Sequence, residues 1–285
     1  MKLGMLTGIW HIANGASVFE SLERAAALGF HYVDLHGTFN AGPRHLSEDE
    51  RMKVKDTLDA LGLEPRNYVL HAPHNIGSAS EAEYESSYRY LCEGVDLAVS
   101  WGINQIMFNA GLWDMKVDRR EAWSKAVRFC QRVCDYAVDR EVYIAQETEP
   151  YVWFLVNDMA SSVRMQEDVN RSNFVNLIDL GHIALSREQA EDIGSLGATI
   201  VHAHISDHEP MRHTNQIVGT GFTPVAETLE MLRAVDVDEK AKRFGYDELV
   251  VSFELGFPGD QIENPDEWVR QSIRHVQEVA PFLKF

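Results

Sequence analysis

Cysteine is scarce: the 285 residues include three, Cys92, Cys130 and Cys134. An odd and sparse set argues against a disulfide framework and predicts a reducing, cytoplasmic setting. Cys130 and Cys134 stand four apart in a helical pattern, which would suit a two-cysteine zinc clamp. No Cys or His nearby completes it, and the pair reads as small core residues. Long apolar runs are missing too. None reaches the ~18 residues of a membrane span, and MKLGMLTGIW has no signal-peptide pattern, so neither a membrane nor an export route is expected. Positive charge is in deficit, with 26 Lys and Arg against 44 Asp and Glu for a net charge of −18. Nucleic-acid binding needs a basic footprint, which this composition does not supply. Blocks such as Glu48-Asp49-Glu50 read as solvated helix faces and first turns. The acidic excess favours a small-molecule partner and is compatible with a homo-oligomer. No Gly/Ser/Pro-rich linker divides the chain, so residues 1–285 are expected to form a single domain.

What is present is an alternation. Short β-rich apolar runs occur at Leu3–Thr7, Tyr32–His36, Asn67–His71, Gln105–Asn109, Val142–Glu147, Phe174–Asp179, Ile200–Ile205 and Leu249–Glu254. Between them lie stretches with helical apolar spacing, such as Leu22, Ala25, Ala26 and Trp123, Ala126, Val127, Cys130. Helix starts are marked by a capping residue three before Glu or Gln: Ser17/Glu20, Ser47/Glu50, Ser80/Glu83, Asp118/Glu121, Ser186/Gln189 and Asn264/Glu267. Pro224 and Pro265 suit first helical positions, where the missing N–H costs nothing. The charged stretch Asp236–Tyr246 reads as an extra helix on the periphery. The runs VNLID, IVHAH and LVVSF are apolar on both faces, as parallel strands covered by helices should be. Eight βα units of this kind predict an α/β fold, a (β/α)₈ TIM barrel, in preference to a doubly wound open sheet.

A parallel barrel places its active site at the C-terminal ends of its strands. Four consecutive runs end there in similar chemistry: Glu147 with Glu149, Asp179 with His182, His202 and His204 followed by Asp207 and His208, and Glu254. A lone carboxylate at a strand end is usually a cap or a surface group. Four neighbouring ends delivering Asp, Glu or His would repel one another unless a cation sits among them. Glu147, Asp179, His204 and Glu254 make a mostly hard ligand set for one divalent metal, Mn²⁺ foremost, with Mg²⁺, Co²⁺ or Zn²⁺ as alternatives.

These residues resemble the xylose isomerase-like superfamily, in particular its sugar phosphate isomerase/epimerase branch, along essentially the whole chain. The resemblance rests on Glu147, on Asp179-x-x-His182, on His204 with His202 two before it, and on Glu254. The segment Gln216-Ile-Val-Gly219-Thr-Gly221-Phe is also similar to a short G-x-G segment of that branch. It implies that the four acidic and histidine positions bind one metal. It also implies that Glu147 and Glu254 act as acid and base at the carbon beside a carbonyl, through a metal-stabilised enediolate, and that His182 holds the substrate or an outer oxygen. The expected activity is metal-dependent isomerisation or epimerisation of a small keto-sugar or related carbohydrate, within carbohydrate metabolism. A lyase or dehydratase using the same proton abstraction is the alternative.

The pattern departs from the branch's ketose 3-epimerases at two places. Trp153 stands where they carry a Glu six residues after the fifth-strand metal Glu, and Pro210 where they carry an Arg six after the seventh-strand His. Glu149 and Arg212 are the nearest substitutes. The superfamily's three-metal endonucleases are matched poorly, because Asn109 ends the fourth run and Asn215-Gln216-Ile217 replaces an Asp-x-His pair. His36, His71, Asn109, Glu149, His182, His208 and Arg212 are the expected substrate contacts. His202 is expected to be a buried hydrogen-bonding residue one layer below His204. Trp10 is placed at the mouth or in the core, and His213 is given no role.

Overall fold

A computed structural model describes all 285 residues. Eight parallel strands form a closed barrel in sequence order: β1 (Lys2–Leu6), β2 (Tyr32–His36), β3 (Glu64–Val69), β4 (Gln105–Phe108), β5 (Tyr143–Glu147), β6 (Phe174–Asp179), β7 (Ile200–Ile205) and β8 (Val250–Phe253). Pairing of β1 with β8 closes the ring, so no strand edge is left open. Ten helices accompany them: α1 (Gly8–Asn14), α2 (Val18–Ala27), α3 (Glu48–Leu61), α4 (Glu81–Trp101), α5 (Arg119–Ala137), α6 (Met159–Val169), α7 (Leu180–Leu185), α8 (Val225–Ala234), α9 (Val237–Ala241) and α10 (Pro265–Val279). Apolar side chains between sheet and helices form one continuous core, which includes Cys130 and Cys134.

The helix starts follow local chemistry. Ser17, Ser47 and Ser80 each accept the backbone N–H of the Glu three residues on, and that Glu reaches back to the serine's own N–H. Asp118 and Asn264 cap α5 and α10 with their side chains alone. The expected start at Ser186/Gln189 is wrong. Ser186 instead closes α7, and a 3₁₀ turn follows over Ala190–Ser195, capped by Gln189 and Asp192. Asp179 has already opened α7 directly from the strand, so the helix comes one strand-end early. Pro224 is the cap of α8 and not its first residue.

Strand bounds shift where loops compete. Run three starts early, at Glu64, and ends at Val69, leaving His71 in the following loop. The ladder continues past β8 through Glu254, whose N–H donates to the Ile205 carbonyl at 3.0 Å. The stretch Asp236–Tyr246 is helical in part, as α9 and a 3₁₀ turn, but it is not peripheral. Asp238 accepts from the Met1 amino group and from Leu249 N–H. Tyr246 lies under the Arg66 guanidinium at 4.5 Å and donates to Asn104. The segment therefore seals the N-terminal pole and leaves the opposite pole open. No helix is long and apolar enough to cross a membrane.

Removing one cap tests this account of the helices. Ser80→Ala is expected to lower unfolding free energy by about 1 kcal/mol, read as a lower urea midpoint at unchanged slope. An unchanged midpoint would show that the Ser80–Glu83 box contributes nothing to α4.

Candidate active site

At the open pole the side chains of Glu147, Asp179, His204 and Glu254 turn inward and meet. Their ligating atoms lie within 4.8 Å of one another. Register explains the meeting: Asp179 pairs with His204 across β6 and β7, and Glu254 follows Phe253, which pairs with Ile205. His204 Nδ1 is 2.8 Å from Glu254 Oε2 and 3.4 Å from Glu147 Oε1. Four atoms here are buried without a hydrogen-bond partner: Glu147 Oε1, Asp179 Oδ2, His204 Nδ1 and Glu254 Oε2. Each residue thus presents one unsatisfied atom to the same small volume, an arrangement that costs free energy unless something fills it.

The atoms facing away are held. Asp179 Oδ1 caps α7 by accepting His182 N–H at 2.8 Å, so the Asp-x-x-His spacing is that of a helix cap and its third residue. The same oxygen accepts the Ser206 hydroxyl. Ser206 in turn lies 2.9 Å from His208 Nε2, and His208 Nδ1 accepts two backbone N–H groups, from Thr214 and Asn215. A Cβ on Gly181 would come within 2.3 Å of Ser206 Oγ and 2.5 Å of the His208 ring, so the relay needs glycine there. Asn215 donates to Glu254 Oε1 at 3.0 Å, which turns Oε2 toward His204.

Below the cluster, Asp34 Oδ2 accepts His202 Nε2 at 2.7 Å and lies 3.4 Å from His204 Nε2, at ion-pair distance. Burial alone would push Asp34 up, yet His202 and His204 hold its carboxyl well below the usual range. Burial likewise opposes a charge on His204, but Asp34, Glu147 and Glu254 hold its imidazole well above the ordinary value. Burial raises Glu147 and Asp179, whereas contact with His204 overcomes burial and lowers Glu254.

A cavity of about 450 Å³ opens above the cluster. His36, His71, Glu149 and His182 line it as expected. Burial, followed by the neighbouring carboxylates, pushes Glu149 up to about 8. Burial would lower His182, but Asp179, Glu147 and Glu149 raise it to about 9. Its Nδ1 donates to the Thr148 carbonyl.

Three expected contacts sit elsewhere. Asn109 does not line the cavity; it stands behind His71, with Nδ2 3.3 Å from its Nδ1. The His208 ring is fully buried in the relay beneath the wall. Arg212 is exposed and paired with Glu209, so it replaces nothing in the pocket. Asp207 turns to its own loop, accepting N–H groups from Gly219, Gly221 and Thr223, which explains the G-x-G segment. Trp10 belongs to the core on α1, bonded to Asp266. His202 is a buried hydrogen-bonding residue.

Asp34, Ser206, Asn215 and His213 are the participants that sequence reasoning missed. A signal existed for Asp34, an acid inside the apolar run YVDLH two residues before His36 and on its face of the strand. His213 and Asn215 had none, because the fold of the loop after β7 brings them in. His213 Nε2 meets His182 Nε2 at 2.6 Å, and its ring packs edge-on against Phe257.

Residues 22–279 match the model of the xylose isomerase-like TIM barrel family, and the chain belongs to that family. No curated protein matches it. Among solved structures it resembles the IOLI protein with a zinc atom bound, at 18% identity over 99% of both chains and a TM-score of 0.81. It also resembles a D-psicose 3-epimerase from Clostridium cellulolyticum H10 solved with D-tagatose, at 17% identity over 98% of this chain and 99% of that one, with a TM-score of 0.79. An L-ribulose 3-epimerase matches at 17% identity over 99% of this chain and 95% of that one, with a TM-score of 0.79. At such identities the likeness establishes the fold.

The layer beneath the cluster carries its own test. Titration calorimetry with Mn²⁺ is expected to show one tight ion per chain, with affinity about 10–100-fold weaker in Asp34→Asn because His204 loses its orienting carboxylate. Equal affinities in the two proteins would reduce Asp34 to a partner of His202 alone.

Proposed function

We propose that the chain is a divalent-metal-dependent isomerase or epimerase of a small keto-sugar or related carbohydrate. The reading rests on the convergence of one buried, unpartnered atom from each of Glu147, Asp179, His204 and Glu254 at the floor of a cavity that fits a small polyol. Three carboxylates and an imidazole suit Mn²⁺, Mg²⁺ or Co²⁺, and Zn²⁺ less well, so the residues present fit the ion that the family implies. When bound, the ion supplies positive charge beside a substrate carbonyl, which makes the adjacent C–H more acidic.

The chain's own residues then have separable tasks. Glu254, oriented at Oε1 by Asn215, lines the cavity and offers a carboxylate that can take a proton from a substrate carbon. Glu147 stands across His204 from it and can return a proton, from the other face for epimerisation or to the neighbouring carbon for isomerisation. His71, backed at Nδ1 by Asn109, can donate a hydrogen bond to a substrate hydroxyl through Nε2, while His182, engaged at Nδ1 by the Thr148 carbonyl and at Nε2 by His213, holds the cavity wall. Glu149 adds a buried carboxyl to the same lining, pushed by burial toward its protonated form, that can hydrogen-bond a substrate hydroxyl. A lyase would share the opening proton abstraction and differ in what leaves afterwards.

Incubation in D₂O with Mn²⁺, across keto-sugars, sugar acids and 3-keto-glycosides, is expected to place deuterium on the carbon beside the carbonyl of one substrate, in a sugar of unchanged formula. Glu254→Gln is expected to lower turnover by about 10²–10⁴-fold while the ion stays bound, since an amide oxygen ligates but an amide cannot accept the proton. Release of water or a fragment would reassign the chain as a lyase. Full activity in Glu254→Gln would overturn the acid–base reading.

A further inference from the structure

The cavity has two unlike ends. Its floor is the carboxylate cluster, while its rim is aromatic. Tyr151 and Trp153 stack at 4.4 Å between centroids and 15° between planes. The Tyr151 hydroxyl accepts His213 N–H at 2.9 Å, and the His213 ring lies 5.1 Å from that of Phe257. Trp153, Tyr151, His213 and Phe257 thus run as one wall along the mouth. Two of them are large apolar side chains left open to solvent, Trp153 at 49% and Phe257 at 40%. Isolated exposed apolar residues are ordinary, but an exposed pair bordering a cavity marks a surface that a ligand covers.

Charge narrows the ligand further. No Lys or Arg lines the cavity, and Arg212, the nearest candidate in the sequence, is turned out and paired with Glu209. A phosphate or carboxylate on the substrate would find no guanidinium or ammonium group in the lining to pair with. The volume of about 450 Å³ also exceeds what one sugar ring fills and lies within the ~300–1,000 Å³ typical of sites for larger ligands.

Building on the carbohydrate reading above, we infer that the substrate is an uncharged sugar carrying a flat, aromatic substituent. The polyol part sits on the carboxylate floor, and the substituent lies against Tyr151, Trp153 and Phe257. With no Lys or Arg in the lining, a phosphorylated sugar is expected to be a poorer ligand than its uncharged counterpart.

The test uses the full chain loaded with Mn²⁺, with affinity read by calorimetry and by quenching of tryptophan fluorescence. The probes are phenyl β-D-glucoside, methyl β-D-glucoside and glucose 6-phosphate. The phenyl glycoside is expected to bind about tenfold more tightly than the methyl glycoside, the equivalent of about 1.4 kcal/mol, which is the scale of one good aromatic contact. Glucose 6-phosphate is expected to bind most weakly. In Trp153→Ala the phenyl-to-methyl ratio should fall toward one, and Trp153→Phe should restore most of it; both changes fall at a half-exposed position and spare the core. Equal affinities for the two glycosides, a preference that survives Trp153→Ala, tighter binding of the phosphate, or no binding of any probe would each overturn the inference. Failure of the parent reading looks different: an aryl preference with no substrate converted, or with full activity in Glu254→Gln, would remove the acid–base isomerase and leave this subsite standing.

Discussion

Negative charge at the floor of a closed barrel has to be compensated from within, because Asp34, Glu147 and Asp179 are buried and no strand edge lets the sheet relax around them. Asp34, Glu147, Asp179 and Glu254 gather at this pole, and the groups beside them that can carry positive charge are imidazoles. His204 sits at the centre of the arrangement, between Asp34 below and Glu147 and Glu254 above. Its ring has little freedom to turn without losing one set of partners. Most of the other polar choices near this pole, from His202 to Asn215, can be understood as fixing which oxygen of each acid points inward.

The loop after β7 does much of that fixing. Asp207 gathers the N–H groups of Gly219, Gly221 and Thr223 around one carboxylate, and this folds the segment back over the barrel mouth. Once folded, the segment delivers Asn215 to Glu254, His213 to His182, and two backbone N–H groups to His208. Both glycines answer to space: a Cβ at Gly221 would fall 2.3 Å from Asp207 Oδ1, and Gly219 has φ +93°. The G-x-G segment is here a clasp on an internal carboxylate.

These observations separate what a sequence shows from what it hides. Strand order and the three inward acids with their histidine were legible because short apolar runs end where polar letters begin, and a parallel barrel collects those ends at one pole. Asp34 was hidden by its surroundings, a single acid in an apolar strand whose partner His202 lies far along the chain. His213 and Asn215 were hidden for another reason, since nothing periodic locates a loop residue in space. Arg212 and His208 show the converse error. Nearness in sequence to the site suggested contact, but one side chain points to solvent and the other supports Ser206 from beneath. The seal over Asp236–Tyr246 was misplaced because its charge pattern reads the same whether it faces water or the barrel's lower rim.

The aromatic wall and the acidic floor are built on different parts of the chain. The floor belongs to strand ends whose register is locked around the whole ring. Tyr151 and Trp153 lie on a short loop held by its own ties: Trp113 N–H to the Trp153 carbonyl at 2.6 Å, and the Arg119 guanidinium to the carbonyls of Val152 and Phe154. Descendants of this sequence could therefore exchange the residues that greet a ligand while inheriting the reacting groups untouched. Under the proposed function, a change of ligand in such a lineage would be recorded in residues 151–154 and 257, while the acids and histidine at the strand ends would record none of it.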